Sequence, residues 1–138
     1  MAGCKSLLSI PDSFCNLSHL TKLTLGDFSA GGCEKLVSLP QRFGECKALT
    51  TLNLGYCKKL VSLPDSIGDC KSLTTLDLEH CDSLKSIRER IGECKSLTSL
   101  NMSWCPAGGW HHWPAALLAQ LKNQGCRGCT EYGGDFKF

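Results

Sequence analysis

The sequence predicts an α/β fold, a short curved solenoid with a parallel sheet on its concave face. We expect loops and 3₁₀ turns on the convex side and a helical cap at the C-terminal end. Two observations predict this fold. A segment of 24 residues recurs along the chain, and each copy places its leucines at the same spacing. Repeats of this length stack as single structural units that share one continuous core.

Three successive copies of the repeat agree without a gap. They read CKALTTLNLGYC from Cys46, CKSLTTLDLEHC from Cys70 and CKSLTSLNMSWC from Cys94. Side chains alternate across a strand, so a strand around Thr51–Leu54 would point its leucines inward. The sequence therefore predicts one short strand per copy, with the strands stacked in parallel.

The boundaries of the copies predict a single domain over residues 1–138. It consists of a partial repeat at 4–16, repeats at 17–45, 46–69 and 70–93, a degenerate repeat at 94–117 and a C-terminal cap or tail at 118–138. The chain starts partway through a copy, as a fragment or a very short array would. We expect the outer edge of the first strand to be uncovered, and an uncovered edge can pair with another chain.

Departures from the repeat predict the remaining features. The copy that begins at Leu17 carries five extra residues within GDFSAGG, which we interpret as a loop insertion able to contact a partner beside the sheet. Pro40 and Pro64 share one repeat position, where a fixed φ suits an extended or 3₁₀ segment. In the tail, Pro114 and Gly125 suit the first position and the C-cap of a helix. That helix would cap the core.

Eleven cysteines are present, and most of them are periodic. They form two columns: Cys33, Cys57, Cys81 and Cys105 in one, and Cys46, Cys70 and Cys94 in the other. Parallel strands stack ~4.8 Å apart, whereas the Cβ atoms of a disulfide prefer roughly 3.8 Å. We therefore predict buried, reduced thiols whose S–H groups donate to backbone carbonyls. Reduced thiols predict a cytoplasmic location.

Charge and motifs exclude several functions. A net charge of +2 gives no field that would attract nucleic acid or an anionic membrane, and the first residues lack the apolar run of a signal peptide. The sequence has no Gly-rich phosphate loop, no H-E-x-x-H and no G-x-S-x-G. We therefore expect no cofactor and no catalysis.

One alternative function lies in the tail. His111 and His112 precede Cys126 and Cys129, and this set could supply four zinc ligands or, through C-R-G-C, a redox pair. The C-R-G-C motif follows the expected helix rather than preceding one, which is not the context of a thioredoxin-type site. A zinc-linked or redox-linked domain is thus the alternative to a binding module.

The strand face carries the candidate binding residues. Side chains that alternate with the leucines form columns that vary between copies while the inward positions barely vary, as expected of a face used for recognition. The candidates are Tyr56, Asp77, Glu79, His80, Asn101 and Trp104. The aromatic side chains suit binding hot spots, and the acidic pair favours a basic or amine-bearing partner. His80 is expected to make binding depend on pH near neutrality.

The pattern L-x-x-L-x-L-x-x-C-x-x-L-x-x-L-P-x-x-I-G resembles the leucine-rich-repeat arrays of plant-type intracellular immune receptors. A cysteine three residues before the first leucine, as at Cys70 and Leu73, is similar to the cysteine-containing repeats of F-box adaptors. Both resemblances imply a curved array that binds a protein or peptide on its concave face. We expect a monomer, or weak self-association through the ends of the solenoid.

Overall fold

The computed structural model describes residues 3–85 and 92–105. Five strands form one sheet, in the order β2-β1-β3-β4-β5. Their bounds are β1 Lys22–Asp27, β2 Gly31–Gly32, β3 Thr51–Leu54, β4 Thr75–Asp77 and β5 Ser99–Asn101. The strands β1, β3, β4 and β5 are parallel, and the register pairs Leu52 with Leu76 and Leu76 with Leu100. The 24-residue repeat is confirmed as the translation from one strand to the next.

Short 3₁₀ helices follow the proline positions. They are η1 Asp12–Asn16, η2 Phe43–Glu45 and η3 Asp65–Asp69. The N–H groups of Phe43 and Ile67 donate to the carbonyls of Pro40 and Pro64, at 3.1 and 3.0 Å. This confirms the predicted 3₁₀ side, and residues 3–85 and 92–105 contain no α-helix. The predicted helical cap lies outside the described residues.

The core is one cluster of leucines and cysteines from all copies. Leu52, Leu76 and Leu100 are buried at equivalent strand positions. Phe43 and Ile67 are buried residues of η2 and η3 that belong to the same cluster. Each copy shares this cluster with its neighbours, so apolar burial holds the copies together. No helix in the described part of the chain is both apolar and long enough to span a bilayer.

A threonine ladder ties the start of each strand to the preceding copy. The hydroxyls of Thr50, Thr74 and Thr98 donate to the carbonyls of Thr21, Thr50 and Thr74, at 2.9, 3.0 and 3.2 Å. The same carbonyls accept two backbone N–H groups from the next copy. Each carbonyl is therefore fully used, which holds the strands in register.

The insertion in the first full copy forms a hairpin rather than a loop alone. The strand β2 pairs antiparallel with the end of β1, joining Gly26 to Gly32 and Asp27 to Gly31. The Asp27 carboxylate accepts the N–H groups of Ser29 and Ala30 at 2.9 and 2.7 Å, and these bonds, with one from the Ser29 hydroxyl, lower the pKa of Asp27. The expectation of an uncovered first strand is wrong for this end of β1, because β2 occupies its outer edge.

Candidate functional site

The same turn ends each of the last three strands. The side-chain oxygens of Asn53, Asp77 and Asn101 accept the backbone N–H two residues further on, at 2.8, 3.0 and 3.1 Å. Asn and Asp favour this local bond because their short side chains reach the backbone without strain. The bond bends the chain away from the sheet at one level in each of these three copies.

The third residue of each turn has an unusual backbone. The carbonyls of Leu54 and Leu78 accept the N–H groups of Cys57 and Cys81 three residues on, which closes a four-residue turn. Within these turns Tyr56 and His80 have φ angles of 60° and 52°. Trp104, at the same position of the following copy, has a φ angle of 62°. A positive φ at this place is typical of type II turns, where glycine or asparagine is usual. Here all three residues have large ring side chains.

These rings form a continuous surface across the copies, which we call the aromatic row: Phe28, Tyr56, His80 and Trp104. The ring centroids of Tyr56 and His80 are 4.7 Å apart, and those of His80 and Trp104 are 5.2 Å apart with an interplanar angle of 6°. Phe28 meets Tyr56 edge to face at 6.3 Å. All three centroid separations lie in the range of favourable aromatic pairs.

Backbone hydrogen bonds hold the rings at fixed spacing. The N–H of Tyr56 donates to the carbonyl of Glu79 at 2.7 Å, and the N–H of His80 donates to the carbonyl of Ser103 at 2.9 Å. The rings of Tyr56 and His80 thus belong to residues whose backbone is bonded to the turn of the next copy. The row is therefore set by the backbone as well as by ring contact.

Phe28 joins the row because the hairpin lies against the neighbouring turn. A Cβ atom on Gly26 would collide with the carbonyl of Gly55, and one on Gly32 would collide with the backbone of Tyr56. The two glycines thus permit a backbone contact that other residues would block. Phe28 stands at the hairpin tip with 86% of its surface exposed. Sequence reasoning missed it, although the glycines of GDFSAGG signalled a close approach.

Acidic groups flank the row. Burial, then the charge of the nearby Glu79 carboxylate, raise the pKa of Tyr56. The Asp82 carboxylate lies 4.0 Å from Nδ1 of His80. Burial raises the pKa of Asp77, and the adjacent Glu79 adds to this effect, while the N–H of Glu79 opposes it. Carboxylate groups therefore surround the aromatic row with negative charge.

The six candidate residues divide into two groups in the structure. Tyr56, Glu79, His80 and Trp104 present side chains at or beside the row, and Trp104 is 53% exposed. Asp77 and Asn101 are engaged in the turns, and the Asn53 amide also donates to Asp77 at 3.3 Å. These two residues position the turns that carry the rings.

The cysteine columns are buried and hydrogen-bonded. The thiols of Cys81 and Cys94 donate to the carbonyls of Leu54 and Ile67 in the preceding copy, at 3.3 and 3.1 Å. This confirms the predicted S–H donation. Burial raises the pKa of Cys57 and Cys70 to about 12, so these thiols are protonated and unreactive at neutral pH.

Cys15 extends the second column and was not foreseen. It is buried and interacts with Cys46, although the repeat register aligns Leu17 with that column. Leu17 is instead half-exposed. The inward cysteine of this copy thus lies within η1, two positions before the residue that the register predicts.

The alternative metal ligands cannot be placed beside this site. His111, His112, Cys126 and Cys129 all lie outside the described residues. Among residues 3–85 and 92–105, no group of three or more His, Cys, Asp or Glu side chains could hold a metal ion.

Comparisons with known proteins concern the repeat and the fold. A family model described as Leucine Rich Repeat matches residues 48–70. None of the curated proteins matches the chain. A leucine-rich-repeat protein of Leptospira interrogans is 24% identical with a TM-score of 0.51, over 87% of this chain and 33% of that chain. This likeness is one of fold.

Two other solved structures are similar to this chain. The leucine-rich-repeat domain of the type III effector XopL is 19% identical with a TM-score of 0.47, over 86% of this chain and 56% of that one. An internalin from Listeria monocytogenes is 17% identical with a TM-score of 0.48, over 91% of this chain and 39% of that one. The chain thus spans between a third and somewhat more than half of the length of these proteins.

Proposed function

Because the chain is a leucine-rich-repeat protein, we propose that it is an interaction module that binds a protein or peptide partner through the aromatic row and the strand ends beside it. The row supplies exposed apolar area, and the polar columns of the strands supply hydrogen-bonding groups next to it. Aromatic side chains bury a large area on binding with few rotatable bonds, which suits them to hot spots.

The single observation that carries this proposal is the positive φ of three aromatic residues. A left-handed backbone costs a residue other than glycine roughly 1–2 kcal/mol. Tyr56, His80 and Trp104 all have this backbone conformation, at a position where glycine or asparagine would avoid its cost. Strained residues cluster at functional sites, so a function of the rings is favoured.

Ring stacking alone is a weaker explanation of the row. An aromatic pair contributes about 0.5–1.5 kcal/mol beyond its buried area, which is close to the backbone cost of one residue. Stacking therefore only offsets the strain and leaves little net stabilisation. It also gives no reason for the exposure of Phe28 at the end of the row, because an exposed ring gains little from burial.

The zinc-linked or redox-linked alternative has no support in the described residues. The column thiols of Cys57 and Cys70 are protonated by burial, which suits packing and not metal binding or redox exchange. We accordingly propose no catalysis, and a cytoplasmic location in which the thiols stay reduced. Alkylation in denaturant without reductant, followed by peptide mapping, should find the nine described cysteines free. Bridged columns would overturn the proposed location.

The test of the binding function uses a displayed library of random peptides selected on the immobilised protein. Enriched peptides are then measured against Tyr56→Ala, Trp104→Ala and Phe28→Ala. We expect each substitution to weaken binding at least tenfold, in keeping with hot-spot residues. Thermal melts of Trp104→Ala and Phe28→Ala should remain close to wild type, because exposed substitutions typically shift stability by less than about 0.5 kcal/mol. Tyr56 is half-buried, so Tyr56→Ala should also lose the stabilisation of its two ring pairs, about 0.5–1.5 kcal/mol each.

Val37→Ala is the matched control. Val37 is 47% exposed, close to the 53% of Trp104, and it lies outside the row. The control variant should bind the selected peptides as wild type does. Selected peptides that bind the row variants and the control equally well would contradict the proposal. A large loss of stability in Trp104→Ala would assign that residue to packing.

A further inference from the structure

We infer that the partner of the aromatic row is an extended cationic segment, with arginine or lysine side chains lying over the rings and beside the carboxylates of Asp77, Glu79 and Asp82. This inference rests on the proposed binding function and specifies the chemistry of the partner. Three independent features of the surface point to it: the charge around the rings, the length of the row and the polarity of the strands beside them.

The charge around the rings is negative. Glu79 and Asp77 are the main charged groups acting on Tyr56, and Asp82 lies 4.0 Å from the His80 ring. Neither Lys58 nor Lys59, which follow the turn, is among the charged groups that shift the pKa of Tyr56 or Asp77. An anionic partner would meet repulsion here, and a cationic one would meet complementary charge.

Two lysines in the described part of the chain lie away from the carboxylates beside the row. Lys47 and Lys71 precede their strands, at the end of the sheet opposite to the aromatic row. Their ammonium groups donate to the carbonyls of Asp69 and Gly68, at 3.3 and 2.7 Å. These lysines are thus held away from the row and do not neutralise its carboxylates.

The rings themselves attract cations. The face of an aromatic ring carries negative charge density, and a guanidinium or ammonium group within about 6 Å of the ring centroid is stabilised. Tryptophan is the strongest such ring, and arginine can also stack on it. Trp104 and Phe28 are the two most exposed rings of the row, at 53% and 86%. Both rings therefore keep exposed surface for contact with a cationic side chain.

The length of the aromatic row, rather than the spacing of its individual rings, suits an extended segment. Neighbouring centroids are 6.3, 4.7 and 5.2 Å apart. Alternate side chains of an extended peptide on one face are roughly 6.6–6.8 Å apart. A segment of about five residues that crosses the strands would therefore place three side chains along the row.

A helical partner fits the surface less well. An amphipathic helix needs a broad apolar groove for side chains at several helical positions. Here the row is one ring wide, and the columns beside it are polar, with Thr51, Thr75 and Ser99 at one level and Asn53, Asp77 and Asn101 at the next. An extended segment can instead use these polar groups for its own backbone.

The test uses three labelled peptides of seven residues that differ only at the second, fourth and sixth positions. One carries arginine there, the second carries citrulline, which has nearly the same shape without the charge, and the third carries glutamate. Fluorescence anisotropy with the full chain measures their affinities. We expect the arginine peptide to bind about ten times more tightly than the citrulline peptide and to weaken as salt is raised, because salt screens exposed charges. The glutamate peptide should bind most weakly.

Charge and ring are then removed separately. Asp82→Asn changes a residue whose side chain is 51% exposed, Glu79→Gln keeps the shape of the side chain, and Tyr56→Leu keeps apolar volume without the ring. Each should weaken the arginine peptide at least threefold, and should weaken it more than it weakens the citrulline peptide. Val37→Ala again serves as the control and should change neither affinity.

The outcomes separate this inference from the proposed function. Equal binding of the arginine and citrulline peptides, or equal binding of the arginine peptide by wild type and all three variants, overturns the cationic partner. If library-selected peptides still require the row in that case, the binding function stands with a partner of different chemistry. If no peptide of either kind requires the row, both are overturned.

Discussion

The imidazole of His80 lies parallel to the indole of Trp104, with the ring centroids 5.2 Å apart and an angle of 6° between the planes. Both residues have positive φ and occupy the same position of successive copies. The stack is therefore produced by repetition of one strained turn. The backbone strain and the ring contact can be measured separately, because glycine relieves the first and any truncation removes the second.

The first prediction compares His80→Gly with His80→Ala. Both variants lose the ring, but only alanine keeps a Cβ atom in the left-handed backbone. We expect the glycine variant to be more stable by about 1 kcal/mol. Urea denaturation measures the difference. Thr75 lies within β4, where the same pair of substitutions should favour alanine. A His80→Ala protein at least as stable as His80→Gly would show that the turn is not strained.

The second prediction concerns the hairpin that carries Phe28. A Cβ atom on Gly32 would collide with the backbone of Tyr56, so Gly32→Ala must displace the hairpin. Gly31 has a φ of 71° but no atom within 4 Å of such a Cβ, so Gly31→Ala should cost only about 1 kcal/mol of backbone strain. We expect Gly32→Ala to lower the free energy of unfolding more than Gly31→Ala. It should also reduce the affinity for peptides selected on the row, measured by anisotropy. Equal effects would mean that the hairpin does not depend on close approach to the turn.

The third prediction is a loss of stability in alkali. Burial raises the pKa of Cys57 and Cys70 to about 12 and that of Cys94 to about 11, from an ordinary value of 9.0. The folded state therefore holds these protons more tightly than the unfolded state does. Their contribution to stability is fully present below pH 9 and is lost between pH 9 and about pH 12.

Comparison with Cys57→Ala isolates this effect from the lysines and tyrosines. The urea midpoint of the wild type should fall more steeply between pH 8.5 and 10.5 than that of the variant, which has one fewer buried thiol. Identical slopes would mean that Cys57 ionises as readily in the folded protein as in the unfolded chain.

The sheet could be predicted because apolar burial repeats with the period of the sequence. Leu52, Leu76 and Leu100 must share one core layer if the copies stack, and this requirement alone sets the register of β3, β4 and β5. The same argument aligned Tyr56, His80 and Trp104. It could not reveal their positive φ, because the usual sign of such a turn is glycine or asparagine.

Phe28 was missed for a different reason. The insertion breaks the period, so translation by one repeat cannot place the residues within it. Its position depends on contact between Gly32 and the backbone of Tyr56, which lie in different copies. The hydrogen bonds of Asp77 and Asn101 within the turns were not foreseen, because alternation predicts which way a side chain points and not what it bonds to. The bond of Asp77 back to the N–H of Glu79 is a local preference of aspartate that could have been anticipated.

The last prediction concerns Asp77, where stability and binding are expected to oppose each other. Burial raises the pKa of this carboxyl, with the charge of Glu79 acting in the same direction. Protonation of Asp77 therefore favours the folded state. The stabilising contribution is fully present below the ordinary pKa of 3.8 and is lost as pH rises through the folded-state pKa. At neutral pH the ionised carboxylate thus lowers the stability of the fold.

Asp77→Asn removes the charge and keeps the oxygen that accepts the N–H of Glu79, as Asn53 and Asn101 do in the adjacent copies. The free energy of unfolding of the variant relative to wild type should rise between pH 4 and pH 7. The substitution also alters the bond to Asn53, and this adds a constant difference that does not change the trend. Urea midpoints of both proteins across this range measure the trend, and a constant or falling difference would contradict it. The same variant should bind the arginine peptide at least threefold more weakly, because it lacks one of the carboxylates beside the aromatic row. Gain in relative stability together with loss of cationic binding would show that the partly buried charge at Asp77 serves recognition and not folding.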